Sequence, residues 1–279
     1  MFKIILFTAF ALVAFAFNSM LCRMALSGGE ADAAGFTLVR LVSGAVTLSA
    51  IGYVANRNFQ FIKRGNLLSA FFLFAYAICF SFAYLGLTAG TGALILFGSV
   101  QMTMLGAAVY SGDRPRSFEW LGLAVALVGL IYLVFPGLAS PPLLYSALMA
   151  TAGVAWGFYT LLGRTGTDPI AETAGNFAWS VPMVVLVCLP FLFEIRLSSR
   201  GWILAILSGA VASGIGYSVW YAVLRSHTAT RAAVLQLSVP VIAAVGGVLL
   251  LAETATARLW IAGLLILSGI GLTIFGRRS

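Results

Sequence analysis

The sequence predicts an all-α integral membrane protein: ten transmembrane helices arranged as two inverted-topology repeats of five. Three observations predict it. Apolar residues make up 61% of the 279-residue chain, charged residues 9%, and the mean hydropathy is +1.05. The apolar residues fall in long unbroken runs, such as Leu121–Phe135 and Trp202–Leu224. The second half of the chain echoes the first at an offset of 140 residues.

A soluble domain carries about 25% charged residues, so this chain lacks the polar side chains needed to wet a surface. In lipid, only helices and closed barrels satisfy every backbone polar group. Barrel strands alternate apolar and polar residues with period two, whereas the runs here are continuous. Helices follow.

A spanning helix needs about 20 residues. The first segment covers 3–26, after Lys3 and before "SGGEAD"; the second covers 33–54 and stops at "NRNFQFIKRGN". The third and fourth, 66–87 and 90–111, are separated by a short corner, and "SGDRPRS" follows them. The fifth, 118–136, ends at "PGLASPP", and the sixth, 142–163, at "RTGTDP". The seventh and eighth are 170–192 and 201–224, closed by "RSHTATR"; the ninth and tenth are 230–251 and 257–276. Each gap carries Gly, Pro, Ser or charge, the residues of turns. No remaining stretch is long enough for a soluble domain.

Ala14-Phe15-Ala16 resembles a signal-peptide cleavage site. The apolar run continues past it and has a partner later in the chain, so the first segment is taken as a spanning helix. Cys22, Cys79 and Cys188 lie inside apolar runs without metal spacing and are expected as small core residues.

The net charge of +8 is unevenly distributed. With a cytoplasmic amino terminus, eleven basic residues fall on the cytoplasmic side: Lys3, Arg57, Lys63, Arg64, Arg114, Arg116, Arg164, Arg225, Arg231, Arg277 and Arg278. Three, Arg196, Arg200 and Arg258, fall outside, and Arg23 and Arg40 lie within spans. This positive-inside bias puts both termini in the cytoplasm and excludes a nucleic-acid partner.

The repeat is visible in several places. "TAGTGALILFGSV" (88–100) is echoed by "TATRAAVLQLSVP" (228–240), Asp113 by Glu253, and Trp120 by Trp260, all at offset 140. "FAFNSMLCR" (15–23) is echoed by "WGFYTLLGR" (156–164) at offset 141, and "YLGL" (84–87) by "YAVL" (221–224) at 137. The units are residues 1–137 and 138–279. Five helices is an odd number, so the second unit enters the membrane from the opposite side, the arrangement of many secondary transporters.

The block "AETATARLWIAGLLILSGIGL" (252–272), its echo "GDRPRSFEWLGLAVALVGLIYL" (112–133) and "FTLVRLVSGA" (36–45) resemble the EamA-type drug/metabolite transporter superfamily over the whole chain. The first helix, "ALVAFAFNSMLCRMAL", is similar to that of the bacterial YddG amino-acid exporters. The resemblance implies inner-membrane efflux of aromatic and other neutral amino acids. The family often carries a proline inside the fourth and ninth helices; Pro240 supplies the ninth, and Val100 stands at the fourth.

An enzyme is not expected. The only histidine, His227, lies in a loop, and no carboxylate pair, metal cluster or phosphate loop appears. The glycines of "ASGIGYS" (212–218) lie in a helix with no preceding strand, which excludes a dinucleotide fingerprint. Gly209, Ser213 and Gly216 are expected to allow close helix packing. No cofactor, metal or ATPase subunit is implied; the expected partners are a small-molecule substrate and the bilayer.

Candidate substrate-binding residues share helix faces. Tyr76, Phe80 and Tyr84 lie at i, i+4, i+8 in the third helix, and Ser213, Tyr217 and Tyr221 do so in the eighth, with Trp220 alongside. The sixth helix adds Trp156 and Tyr159. Each has a second reading as a lipid-facing or interfacial aromatic, and Tyr84 and Tyr221, nearest the helix ends, are expected in such a belt. Asn18, Gln101 and Gln236 are deep amides that serve either as interhelical bonds or as substrate ligands; Ser19 joins Asn18 or bonds its own helix. Arg40 either snorkels toward Glu30 or Asp32 or anchors a substrate carboxylate. Glu253 and Asp113 are expected to cap or pair locally.

The sequence therefore points to a bacterial inner-membrane secondary transporter. It would export small, neutral, partly apolar metabolites, amino acids favoured, by alternating access. All eight carboxylates lie in loops or near helix ends, so obligatory proton coupling is not expected. The alternatives are efflux of lipophilic drugs or nucleosides, and a channel or assembly subunit without turnover.

Overall fold

Polar residues in the gaps decide where the helices begin. In a computed structural model the Asn66 side chain accepts from the Leu68 and Ser69 N–H groups, Thr88 from Thr91, Asp168 from Ala171 and Ser198 from Gly201. Each satisfies first-turn donors that have no partner within the helix. The structure describes residues 2–56, 63–112, 117–135, 137, 140–163, 168–191, 193–224, 226, 235–236, 238–254 and 256–276.

Among the described residues there are ten helices: α1 Phe2–Ser27, α2 Ala33–Asn56, α3 Leu67–Ala83, α4 Ala89–Tyr110, α5 Ser117–Val134, α6 Leu143–Gly163, α7 Pro169–Cys188, α8 Ser199–Leu224, α9 Ser238–Leu251 and α10 Ala257–Gly276. Six of them, α1, α2, α4, α6, α7 and α8, are long and apolar enough to cross a membrane; the apolar stretches of α3, α5, α9 and α10 are shorter. No strand forms among the described residues, only an isolated bridge between Ala31 and Leu197.

The third helix ends at Ala83, four residues earlier than the sequence suggests. The chain turns there, with Leu85, Gly86 and Leu87 N–H groups bonding back to Phe82 and Ala83 carbonyls. α4 runs unbroken through Val100. Pro240 lies buried within α9.

α8 is not uniform. It is α-helical over Ser199–Ile206, widens to a π-helix over Leu207–Ile215 and returns to α over Gly216–Leu224. Wide turns of this kind within α-helices are frequent at functional sites.

The packing has a simple regularity. α3 lies on α6 as α8 lies on α1; α4 lies on α6 as α9 lies on α1; α3 lies on α7 as α8 lies on α2. α2 packs on α7, α4 on α9 and α5 on α10. Shifting every helix by five places maps this set of neighbours onto itself.

Contacts between turns also sort into two groups. Ser198 bonds Glu30 and the Asp32 carboxylate accepts from the Arg196 N–H, joining the α1–α2 and α7–α8 turns. Arg258 donates to the Phe135 carbonyl, joining α9–α10 to α5–α6. Arg64 pairs with Asp168 at 3.0 Å, joining α2–α3 to α6–α7. Turns that follow odd-numbered helices meet one another, and so do turns that follow even-numbered ones. The core lies among α1, α3, α6, α8 and the first half of α4.

Candidate functional site

Four helices converge on one cluster: α1 with Phe15 and Asn18, α3 with Tyr76 and Phe80, α6 with Trp156, and α8 with Tyr217. Leu96 and Phe97 of α4 complete the wall of a narrow cavity, wide enough for about one water molecule. The Trp156 ring lies 4.8 Å from Tyr76 and 4.7 Å from Tyr217, centroid to centroid, with Phe15 edge-on at 6.2 Å.

Behind this wall stands Arg40 of α2, 1% exposed. Its Nε donates to the Ser213 hydroxyl at 3.3 Å, and its Nη2 to the Tyr76 and Tyr217 hydroxyls at 3.1 and 3.2 Å. The guanidinium also lies over the Tyr76 and Phe80 rings, at 5.1 and 4.9 Å. Asn18 Nδ2 donates to the Tyr76 hydroxyl at 3.2 Å, and Asn18 Oδ1 accepts from Ser208 at 2.5 Å.

Arg40 does not snorkel. Glu30 is taken up by Ser198 and, at 3.8 Å, by Arg200; Asp32 accepts from the Gly35 and Arg196 backbone N–H groups. The guanidinium turns inward because hydroxyls and ring faces await it there.

Of the residues expected from sequence, Asn18, Tyr76, Phe80, Trp156, Ser213 and Tyr217 come together. Ser19 is buried beside the Tyr84 hydroxyl instead. Tyr159 touches Trp156 at 5.4 Å but opens onto a second small cavity with Gly163, Pro169, Glu172, Thr173, Asn176 and Tyr221. Gln101 is half-buried on α4, one turn beyond Phe97, outside the cavity wall; Gln236 is buried and also outside it.

Tyr84 and Tyr221 are not belt residues. They are 0% and 5% exposed: the Tyr84 ring packs on Phe80 and covers Gly92, and Tyr221 faces Tyr159. The Tyr84 hydroxyl donates to the Ala89 carbonyl at 3.4 Å, whereas the Tyr221 hydroxyl is buried with no hydrogen-bond partner among the described residues.

Sequence reasoning left Ser208 and Phe15 out. Ser208 shares a face with Ser213 only at the five-residue spacing of a π-helix, which a 3.6-residue period cannot find. Phe15 was legible only as its position in "FAFNSMLCR".

At the odd-turn end a polar knot closes the molecule. Arg23 Nε pairs with Glu253 at 3.0 Å, Arg23 Nη1 donates to the Tyr84 carbonyl at 3.0 Å, and the Ala89 N–H donates to Glu253 at 2.9 Å. Glu253 thus pairs across the chain rather than locally, tying α1, the α3–α4 corner and the end of α9. Asp113 lies outside the described residues, as do Arg164 and His227.

Residues 143–275, from the start of α6 to the end of α10, match the EamA-like transporter family. An uncharacterized protein of Pseudomonas aeruginosa is 47% identical over 275 residues, covering 99% of this chain and 96% of its own. The chain belongs to the EamA-like transporter family. Other relatives are more distant. The "Probable amino-acid metabolite efflux pump" of Salmonella typhimurium is 29% identical over 73% of each chain. The threonine/homoserine exporter RhtA of Escherichia coli K12 is 29% identical over 88% of this chain and 84% of its own. One solved crystal structure superposes over 99% of both chains with a TM-score of 0.70 at 17% identity, a likeness of fold. This EamA-like transporter therefore carries its buried aromatic and polar cluster inside a fold seen before. Among the described residues no three metal-ligating side chains gather, and the amides, hydroxyls and rings of the cluster are not a metal's ligand set.

Proposed function

We propose that this EamA-like transporter is a secondary carrier of the bacterial inner membrane that exports small neutral amino acids and similar metabolites by alternating access. Its halves, residues 1–137 and 138–279, are inverted repeats, and its termini are cytoplasmic. The observation that carries this reading is the cluster of Asn18, Tyr76, Trp156 and Tyr217, where α1, α3, α6 and α8 meet. Those four helices exchange among themselves under the shift by five that relates the packing of the halves. A site at that junction sees both halves equally, which is what a carrier with two mirror states requires.

Three further observations support it. The family match covers α6–α10, about one repeat. The sorting of turns by parity fits a chain that crosses at every helix. The knot of Arg23, Glu253, Tyr84 and Ala89 seals one end, while the second cavity lies beyond Trp156 along α6 toward its carboxyl end. An aromatic site sealed on one side and stepping toward the other resembles one state of a carrier.

The chemistry of the wall fits a small zwitterion: rings for an apolar side chain, and an amide and hydroxyls for charged ends. Lipophilic drugs would leave these buried donors unpaired, at a cost. Uptake of a panel of amino acids into proteoliposomes tests the reading. Saturable flux of neutral amino acids, reduced by Trp156→Ala, is expected; flux of drugs or nucleosides with none of any amino acid would overturn it.

A further inference from the structure

The donors and acceptors around Arg40 do not balance. A guanidinium offers five N–H groups. Nε and Nη2 find Ser213, Tyr76 and Tyr217, while Nη1 is buried with no hydrogen-bond partner among the described residues. The Tyr76 oxygen is reached by three donors at once: Arg40 Nη2 at 3.1 Å, Asn18 Nδ2 at 3.2 Å and the Tyr217 hydroxyl at 3.3 Å. Only one of the two tyrosines can donate in their mutual contact, so one hydroxyl hydrogen of the pair is left without an acceptor. Every acceptor in the group is neutral.

The charge does not balance either. The ion pairs among the described residues engage Arg23, Arg64 and Arg200, and no carboxylate approaches Arg40. A buried charge is normally paired. Among the described residues the compensation comes from hydroxyl dipoles and the faces of Tyr76 and Phe80.

We propose that this cluster is an anion subsite: the hydroxyls of Tyr76 and Tyr217, with Arg40 behind them, hold the carboxylate of the transported solute. The subsite rests on the transporter reading above and narrows it, since recognition is then by the carboxylate and not by apolar bulk or an amine. Tyr76 and Tyr217 line the cavity, whereas Arg40 lies one layer back and acts through them. By accepting from Arg40, the two oxygens become stronger hydrogen-bond donors, as coupled hydrogen bonds polarise one another. A hydroxyl pair backed by a cation is a charge-assisted cradle for an oxyanion. One positive charge in an apolar shell matches one negative charge; a dianion such as phosphate would leave a buried excess. An amine without a carboxylate would meet the guanidinium's repulsion. The ring faces of Trp156 and Phe15 are left for the ammonium and side chain of a zwitterion.

The test uses purified transporter in proteoliposomes and the amino acid taken up best among the twenty. Competition against its uptake is measured for that amino acid, its primary amide, its decarboxylated amine and the matching carboxylic acid without the amino group. The two carboxylates are expected to compete at least about tenfold better than the amide or amine, the size of one charge-assisted hydrogen bond. In the Tyr76→Phe/Tyr217→Phe double variant, which keeps the rings, that ratio is expected to fall by about tenfold, and Arg40→Gln is expected to lower it likewise. A purely structural role would weaken all four competitors alike and leave the ratio unmoved. Equal competition by amide and carboxylate in the wild type, or an unchanged ratio in the double variant, overturns the subsite and leaves the carrier standing. No saturable uptake of any amino acid overturns the carrier and the subsite with it.

Discussion

Asn18 shows how much of the site depends on single atoms. It donates to Tyr76 and accepts from Ser208, so it orients a tyrosine of α3 and fixes the π-segment of α8 from one side chain. Asn18→Ala leaves both hydroxyls short of a partner. It is expected to lower stability by about 1–2 kcal/mol, read as a lower Tm in detergent, and to reduce flux as well. Ala252 is a different case. It holds φ of 51° just after α9, where the Glu253 N–H reaches six residues back to the Gly247 carbonyl at 3.1 Å and closes the helix end. This left-handed conformation disfavours alanine by about 1–2 kcal/mol, and glycine gives back part of the gain through unfolded-state entropy. Ala252→Gly is therefore expected to raise Tm with the Arg23–Glu253 pair kept; a lower Tm contradicts the reading of that turn.

Among the elements, α8 was the least legible in the sequence. Its apolar run and its Ser213, Tyr217, Tyr221 spacing were readable, because aromatic and hydroxyl residues recur at a helical period. The π-stretch was not, since its wider turn is imposed by neighbours: Gly209 packs directly on the Arg40 carbonyl and the Ser43 hydroxyl. No Cβ fits there. Gly209→Leu is expected to push α8 off α2, costing about 1–3 kcal/mol or more, and to separate Ser213 from Arg40. A Gly209→Leu protein with wild-type Tm and flux would contradict this packing. Arg40 illustrates the same limit. The sequence placed it inside a span, but whether it snorkelled to Glu30 or turned inward depended on the Arg200 and Ser198 contacts that occupy Glu30. Tyr84 was misjudged for a related reason: depth along a helix says nothing about which way a ring faces, and Gly92 opens the space that takes it in. The helices themselves and the face shared by Tyr76 and Phe80 were legible, because they follow from hydropathy and period alone.

At the scale of the whole molecule, the exchange of neighbours under a shift of five and the separation of turns by parity support the inverted arrangement proposed above. Reporter fusions are expected to report residue 279 and the 55–65 loop as cytoplasmic; either one outside contradicts the inverted arrangement. Among the described residues Glu253 is held by Arg23 and the Ala89 N–H at one end, and Glu172 lies in the first turn of α7 at the other. With no carboxylate in the central cluster, a pH gradient alone is expected to drive no uphill accumulation of a zwitterionic substrate. Accumulation that disappears in Glu253→Gln would instead make that residue the proton carrier. The central claim, a single site that faces each side in turn, is tested most directly by counterflow in proteoliposomes. Vesicles loaded with an unlabelled neutral amino acid and diluted into a trace of the labelled one should show a transient overshoot, abolished or strongly reduced by Trp156→Ala. Labelled solute that rises to equilibrium without overshoot, at the same rate in loaded and empty vesicles, would contradict the carrier and leave a pore.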